Sequence, residues 1–290
     1  MSGMTAARAT PEIAFTFDDP RTEGGGGLQW PELNARILSA FTHHNLKAAL
    51  FVCGMRVDSD AGHQLISSWD SAGHLIGYHS YSHLNLNEVS AAEFEADALK
   101  GESLVSGCQH AKRLFRYPYF KEGDTAQKRD AIRNFLHERG YRIGRATIDA
   151  SDWAVNARLE KRIADRRGAN LDAYRDFFLQ HIWERAQFYD SLAWRTLMRP
   201  VRHTVLLHHN ALNALYVGDL IALFTAKGWR PVDAEYAFQD PIYDRQPKTV
   251  PAGESLIWAL AKETGRFDKE LRYPGEDDLY ENPKMDAAGL

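Results

Sequence analysis

His79 and His83 stand four residues apart, and imidazoles at that spacing can share one face of a helical turn and aim a nitrogen each at one metal ion. Twelve histidines in 290 residues give roughly half a pair at this spacing by chance, so the spacing alone leaves a packing or surface role open. The neighbouring pair Asp18-Asp19 bears on the choice. Two adjacent carboxylates are ordinary in a solvated turn, but at the end of the apolar run 13–17 (IAFTF) they repel each other and lose hydration. A metal would relieve one and an arginine the other. Arg116 is the available cation, although a lone arginine is more often a surface ion pair. Two imidazoles and one carboxylate leave coordination positions open, the arrangement of a catalytic rather than a structural site. His208 follows the apolar run 204–207. It reads either as a satisfied core residue or as a general acid whose ring Asp152 orients and whose pKa Asp152 raises. Trp153 fits core packing or a pocket wall that accepts a methyl group, while His43, His44 and His63 lie in helical stretches and read as surface or packing residues.

Such groups need elements to position them, and the chain supplies short apolar strands alternating with amphipathic helices. Strands are expected at residues 13–17, 48–53, 74–78, 113–116, 141–148, 203–207 and 229–232, with helices at about 31–45, 62–72, 90–106, 125–139 and 212–227. Ser90 with Glu93 forms a capping-box pattern, Pro31 suits a first turn, and Gly140 suits a helix end. From about 154 to 202 the alternation stops in favour of one long helix or two packed ones. Residues after about 268 form a polar tail expected to be loosely held. The alternation argues for an α/β fold, a parallel sheet or barrel with helices outside, and no linker or repeat divides it. In such folds the C-terminal strand ends form the active face. Five of them carry ionisable groups: Asp18-Asp19, His79, Arg116, Asp149 with Asp152, and His208-His209.

Composition narrows the function classes. Hydrophobic content of 44%, charged content of 26% and a net charge of −4 suit a globular protein and give no reason to expect nucleic acid. The mixed charges of 160–162 and 165–167 read as a solvated helix face. Two cysteines, Cys53 and Cys108, exclude a disulfide framework, and Cys53 sits in an apolar run as a buried thiol. No apolar run reaches the roughly 18 residues of a membrane span. Residues 1–8 lack the apolar core of a secretory signal, which reads as cytoplasmic, or as exported if a signal has been removed.

Taken together, Thr16-Phe17-Asp18-Asp19, His79-Ser80-Tyr81-Ser82-His83, Arg116-Tyr117-Pro118-Tyr119, Asp149-Ala150-Ser151-Asp152-Trp153 and Leu206-Leu207-His208 resemble, in order, the five motifs of the polysaccharide deacetylase family, carbohydrate esterase family 4. The resemblance covers roughly residues 11–235. It implies a distorted (β/α) barrel, often seven-stranded, here with a helical insertion before the last catalytic strand, forming one catalytic domain over 1–268. It implies hydrolysis of N-acetyl, in preference to O-acetyl, groups on an acetylated sugar or polysaccharide. Carried across, Asp19, His79 and His83 bind one divalent ion, zinc first, with nickel, cobalt or manganese as alternatives. Asp18 is then the base that deprotonates the catalytic water, and Arg116 holds it. The Tyr119 backbone N–H stabilises the oxyanion, His208 tuned by Asp152 protonates the leaving group, and Trp153 and Leu206 line the acetyl pocket. Three departures stand out: Pro20 directly after the aspartates where many members have glycine, His209 where an aspartate is common, and the long stretch before the fifth motif. Hydrolysis of another non-peptide C–N bond, in a cyclic amide or ureide, is the enzymatic alternative. A non-catalytic sugar-binding relative is the other.

Overall fold

The computed structural model describes residues 9–165, 171–273 and 275–290. The N-terminal stretch 1–8, Arg166 and Arg167 named above lie outside the described residues. In chain order the elements are β1 (Glu12–Asp18), α1 (Trp30–His43), β2 (Ala49–Val52), α2 (Asp60–Ser71), β3 (Leu75–Tyr78), α3 (Ala91–Lys100), α4 (Glu102–Ser106), β4 (Ala111–Phe115) and β5 (Lys121–Gly123). Then follow α5 (Ala126–Glu138), β6 (Arg142–Ile143), α6 (Asp152–Asp165), α7 (Asp172–Leu197), β7 (Arg202–His208), α8 (Ala211–Ala226) and β8 (Arg230–Pro231). The chain ends in α9 (Ala234–Ala237), β9 (Ala252–Gly253), α10 (Leu256–Glu263) and α11 (Asp278–Ala287).

Among the described residues the main sheet has seven strands in the order β6-β4-β3-β2-β1-β7, with β8 also on β1, and its pairings are parallel. Strands covered on both faces read as continuous apolar runs, which is why IAFTF and ALFV are legible as strands. Phe15, Phe17, Phe41 and Trp69 meet edge to face in the core between sheet and helices. Register does functional work here. Asp18 lies level with Phe51 of β2 and with His208 of β7, so the ends of β1 and β7 deliver a carboxylate and an imidazole side by side.

The strand expected over 141–148 is not continuous. It pairs with β4 at Arg142 and Ile143, then with β7 through the single bridge Ile148–Val205. The segment has to cross from one edge strand to the other, so neither ladder can run its full length. Gly144 passes the Phe51 ring where a Cβ would come within 2.5 Å of it, and Arg145 turns to bind buried Glu122 at 2.6 and 2.7 Å. Hydrogen bonds from Thr147 N to Thr204 O (3.1 Å) and from Leu206 N to Ile148 O (2.9 Å) complete the closure.

Other differences have local causes. The helix expected over 90–106 keeps its capping box at Ser90 and Glu93 but breaks at Gly101. There the backbone N–H donates to the Tyr78 hydroxyl at 3.1 Å, and a Cβ would stand 2.8 Å from that oxygen. The helical insertion is α6 and α7, the first beginning at Asp152 itself. The polar tail is not loose. It carries α11, whose Glu281 and Met285 are fully buried, and Arg158 of α6 ties it down through Asp286 and the Leu290 carbonyl. Both cysteines are free, and no described helix is long and apolar enough to cross a membrane.

Candidate active site

The C-terminal ends of β1, β3, β4 and β7 and the start of α6 surround one cavity of about 680 Å³, within the ordinary range for small-molecule sites. Several of its loops use backbone that side chains rarely adopt. Asp19, Ser80, His83, Tyr119, Phe120 and Ser151 all have φ between 49° and 62°, a clustering of strain that marks functional loops.

At the end of β1, Asp18 is buried and receives Arg116 Nη1 at 2.6 Å. The same guanidinium donates to Thr16 Oγ1 (2.9 Å) and Gly144 O (2.7 Å) and lies 3.8 Å over the Phe51 ring. It is thus fixed on four sides. Burial pushes the Asp18 carboxyl above its ordinary value, with Arg116 and His208 opposing. Asp19 differs. Burial acts to raise it, but His79, His83, His208 and Arg56 around it bring its pKa below the ordinary value.

His79 and His83 do meet, their ring centroids 4.9 Å apart, but not on a helical turn. They sit on an irregular loop after β3 in which Ser80 and His83 have positive φ, so their spacing signals proximity for a different reason than helical periodicity. His79 Nδ1 lies 2.8 Å from the Arg116 carbonyl. A carbonyl only accepts, so Nδ1 carries the proton and Nε2 presents its lone pair to the cavity. Burial lowers both rings to about 4, leaving them neutral and suited to ligation. His83 Nε2 is 3.5 Å from Asp19 Oδ2. One donor atom from each of Asp19, His79 and His83 lies within 4.8 Å of the others, and buried Asp19 Oδ1 has no hydrogen-bond partner. These residues therefore fit a divalent cation, and the Arg116 carbonyl is placed to orient His79 for such a role.

Across the cavity, His208 Nδ1 lies 2.7 Å from Asp152 Oδ1. The other Asp152 oxygen accepts from the His208 N–H (3.0 Å), Asn210 Nδ2 (3.1 Å) and Asn213 Nδ2 (2.7 Å). Burial alone would lower His208, but Asp152 outweighs it and raises the ring to about 9. His209 points away. Its Nε2 donates to Asn34 Oδ1 at 3.1 Å, beside the Trp69 indole N–H on the same oxygen, and burial holds it neutral at about 3. The partner of the His208 network is thus supplied by two asparagines rather than by residue 209.

Tyr119 lies on a short turn with its ring 4.5 Å from that of His83. Trp153 is 42% exposed and lines the cavity, which decides for the pocket wall and against core packing. Leu206 packs in a small apolar cluster with Phe120 and Ala146. All ten residues singled out from the sequence converge here, Arg116 and Asp152 from behind the wall. Sequence reasoning missed Asn210 and Asn213, Arg56 (Nε 3.2 Å from Asp19), and Glu254 and Glu276, which reach the cavity from the C-terminal segment. Asn210 alone left a signal, standing as helix cap before the apolar run of α8. Asp149 is also buried in this wall, and burial with Glu276 and Glu254 nearby raises it to about 8.

A curled, mostly parallel α/β sheet thus carries a carboxylate and two imidazoles at its C-terminal strand ends. Residues 6–143 match the family model for polysaccharide deacetylase. A peptidoglycan-N-acetylglucosamine deacetylase of Bacillus cereus is 29% identical over 143 residues, 49% of this chain and 46% of that protein. The chitin deacetylase structure from the fungal pathogen Colletotrichum lindemuthianum aligns with a TM-score of 0.55 at 19% identity, covering 81% of this chain and 89% of that one. A carbohydrate esterase family 4 pseudoenzyme from Bacillus anthracis aligns equally, with a TM-score of 0.55 at 17% identity over 79% of this chain and 66% of that one. The likeness to polysaccharide deacetylases thus spans residues 6–143, just under half of the chain. The chain spans about half the length of the curated relatives it matches.

Proposed function

We propose that the chain is a metal-dependent hydrolase that removes acetyl groups, N-acetyl in preference to O-acetyl, from an acetylated sugar or polysaccharide. One observation carries the reading: the Asp19–His79–His83 donor set faces a buried Asp18–Arg116 pair and a His208–Asp152 pair across a single cavity. Asp19, His79 and His83 would hold a divalent ion, zinc first for its preference for imidazole and carboxylate donors, and the ion would supply Lewis-acid polarisation and water activation. The chain's own residues divide the remaining work. Asp18, kept basic by burial and fixed by Arg116, takes the proton of the attacking water. The Tyr119 backbone N–H is the donor available to a developing oxyanion. His208, protonated at neutral pH because of Asp152, gives its proton to the departing amine. Leu206, Phe120 and Trp153 provide an apolar surface of the kind a methyl group occupies.

The names of the relatives support the substrate class, an N-acetylated glycan. The pseudoenzyme among the structural neighbours makes a non-catalytic relative the reading to test against. Acetate release from N-acetylglucosamine oligomers and from peptidoglycan fragments, measured with added zinc, nickel, cobalt or manganese, decides between them. The expected result is metal-dependent release that His79→Ala abolishes. Glycan binding with no release under any metal would leave the non-catalytic reading in its place.

A further inference from the structure

Ala150 lies between the bridge residue Ile148 and the start of α6, in the turn that sets Asp152 against His208. Its carbonyl is buried, and His181 of α7 meets it with Nε2 at 2.7 Å. The other ring nitrogen, Nδ1, lies 3.2 Å from Glu281 of α11, and both side chains are almost wholly inaccessible. Arg272 Nη1 in turn holds Glu281 (2.7 Å) and Glu276 (2.6 Å), and the Phe177 ring stacks on His181 at 5.8 Å. The charged groups around the imidazole are Glu281, Arg272, Arg185 and Lys284. His181 thus hydrogen-bonds the turn, while Glu281 of the C-terminal helix packs against its other nitrogen without a hydrogen bond between them. The turn has little else to hold it, because Ser151 has φ 49° and the Ser151 hydroxyl has no partner of its own.

We infer that His181 is a positioning residue for the pocket: packed against Glu281 of the C-terminal helix, it fixes the Asp149–Asp152 turn through its bond to the Ala150 carbonyl, and through the turn the contact between Asp152 and His208. A carbonyl accepts only, so His181 carries its proton on Nε2, and burial keeps the ring neutral. Burial also raises the Glu281 carboxyl above its ordinary value, with Arg272 and Lys284 opposing. The last turns of the chain therefore act on a contact formed by residues 152 and 208, remote from them in sequence. This inference rests on the acid role given to His208 for its catalytic consequence, but not for its structural one.

The test compares His181→Phe, which keeps ring packing against Phe177 but has no donor, with His181→Gln, which restores an N–H. The His208 titration is followed by NMR in the full chain with zinc added, and acetate release is measured in parallel. Expected for His181→Phe is a His208 pKa lowered by about half a unit or more, with kcat reduced about fivefold or more and KM within about twofold. His181→Gln should recover most of both. An unchanged His208 titration in folded His181→Phe overturns the inference, and so does equal damage in the two variants. Should His181→Phe fail to fold, Glu281→Leu against Glu281→Gln reads the same titration, and no difference between that pair overturns it as well. A wild-type chain that releases no acetate from any substrate would refute the deacetylase reading, while the titration still decides this one.

Discussion

Asp152→Asn should convert a catalyst with a broad alkaline range into one that fails progressively as pH rises. His208 stands at about 9 because Asp152 outweighs the cost of burying its charge. In the variant the geometry dictates which way the new amide turns. One carboxylate oxygen accepts three donors, from the His208 backbone, Asn210 and Asn213, so the amide oxygen stays there and its NH2 faces His208 Nδ1. That nitrogen must then accept, and protonating it becomes unfavourable. With the ring falling from about 9 to its ordinary 6.5 or below, the protonated fraction at pH 8 drops from about 0.9 to about 0.03. The loss from protonation alone is about 30-fold at pH 8 and less than about twofold at pH 6. The assay is the pH dependence of kcat for acetate release between pH 5.5 and 9.5, on the order of eight points. A variant whose activity falls by the same factor at every pH would refute the reasoning, because the carboxylate would then be needed for shape and not for charge. The same shift governs stability: a raised histidine pKa contributes fully below the unfolded value of 6.5 and is lost as pH rises through about 9.

Three other outcomes are expected. Arg116→Met leaves Asp18 buried without its cation, which should destabilise by ~3–5 kcal/mol in denaturant melts; it should also raise the Asp18 pKa further, moving the acid limb of the pH–rate profile upward. Zinc should raise the thermal midpoint in proportion to the logarithm of its concentration well above Kd, and His83→Ala should abolish that shift as judged by scanning fluorimetry. Gly253→Ala would bring a Cβ within 1.8 Å of the Phe120 carbonyl, forcing β9 off β5 and disturbing the Tyr119 turn; kcat should fall at least about tenfold with metal affinity by calorimetry unchanged.

The sheet was readable because strands covered on both faces must be apolar throughout, as residues 13–17 and 203–207 are. What local pattern does not encode is how the chain bends against distant neighbours. The break at Gly101 answers to Tyr78, the interruption after Ile143 answers to Phe51 and Glu122, and the polar look of 269–290 conceals carboxylates that find arginines on α7 and beyond. The candidate site was legible for the same reason in reverse. Ionisable residues at the ends of apolar strands are unfavourable unless they serve one another, so Asp18, His79, Arg116 and His208 announce themselves. Arg56, Glu254 and Glu276 lie in stretches where polar residues cost nothing locally, and only the fold shows that they reach the same cavity and that Asn213, inside an apolar helix, meets Asp152.

Among the described residues Ile148 and Val205 form the isolated bridge that joins the broken strand to β7, and this seam adjoins Asp149 on one side and Leu206 on the other. A wall closed by so short a ladder has fewer backbone hydrogen bonds there than along β1, β2 and β7. Loosening the seam alters the bore beside Leu206 and Ala146 while the ladders among β1, β2 and β3, which carry Asp19 and His79, keep their register. Changes in the shape of accepted acyl groups should therefore accumulate around residues 146–149 and 204–206, leaving the cation-binding side of the barrel as it is.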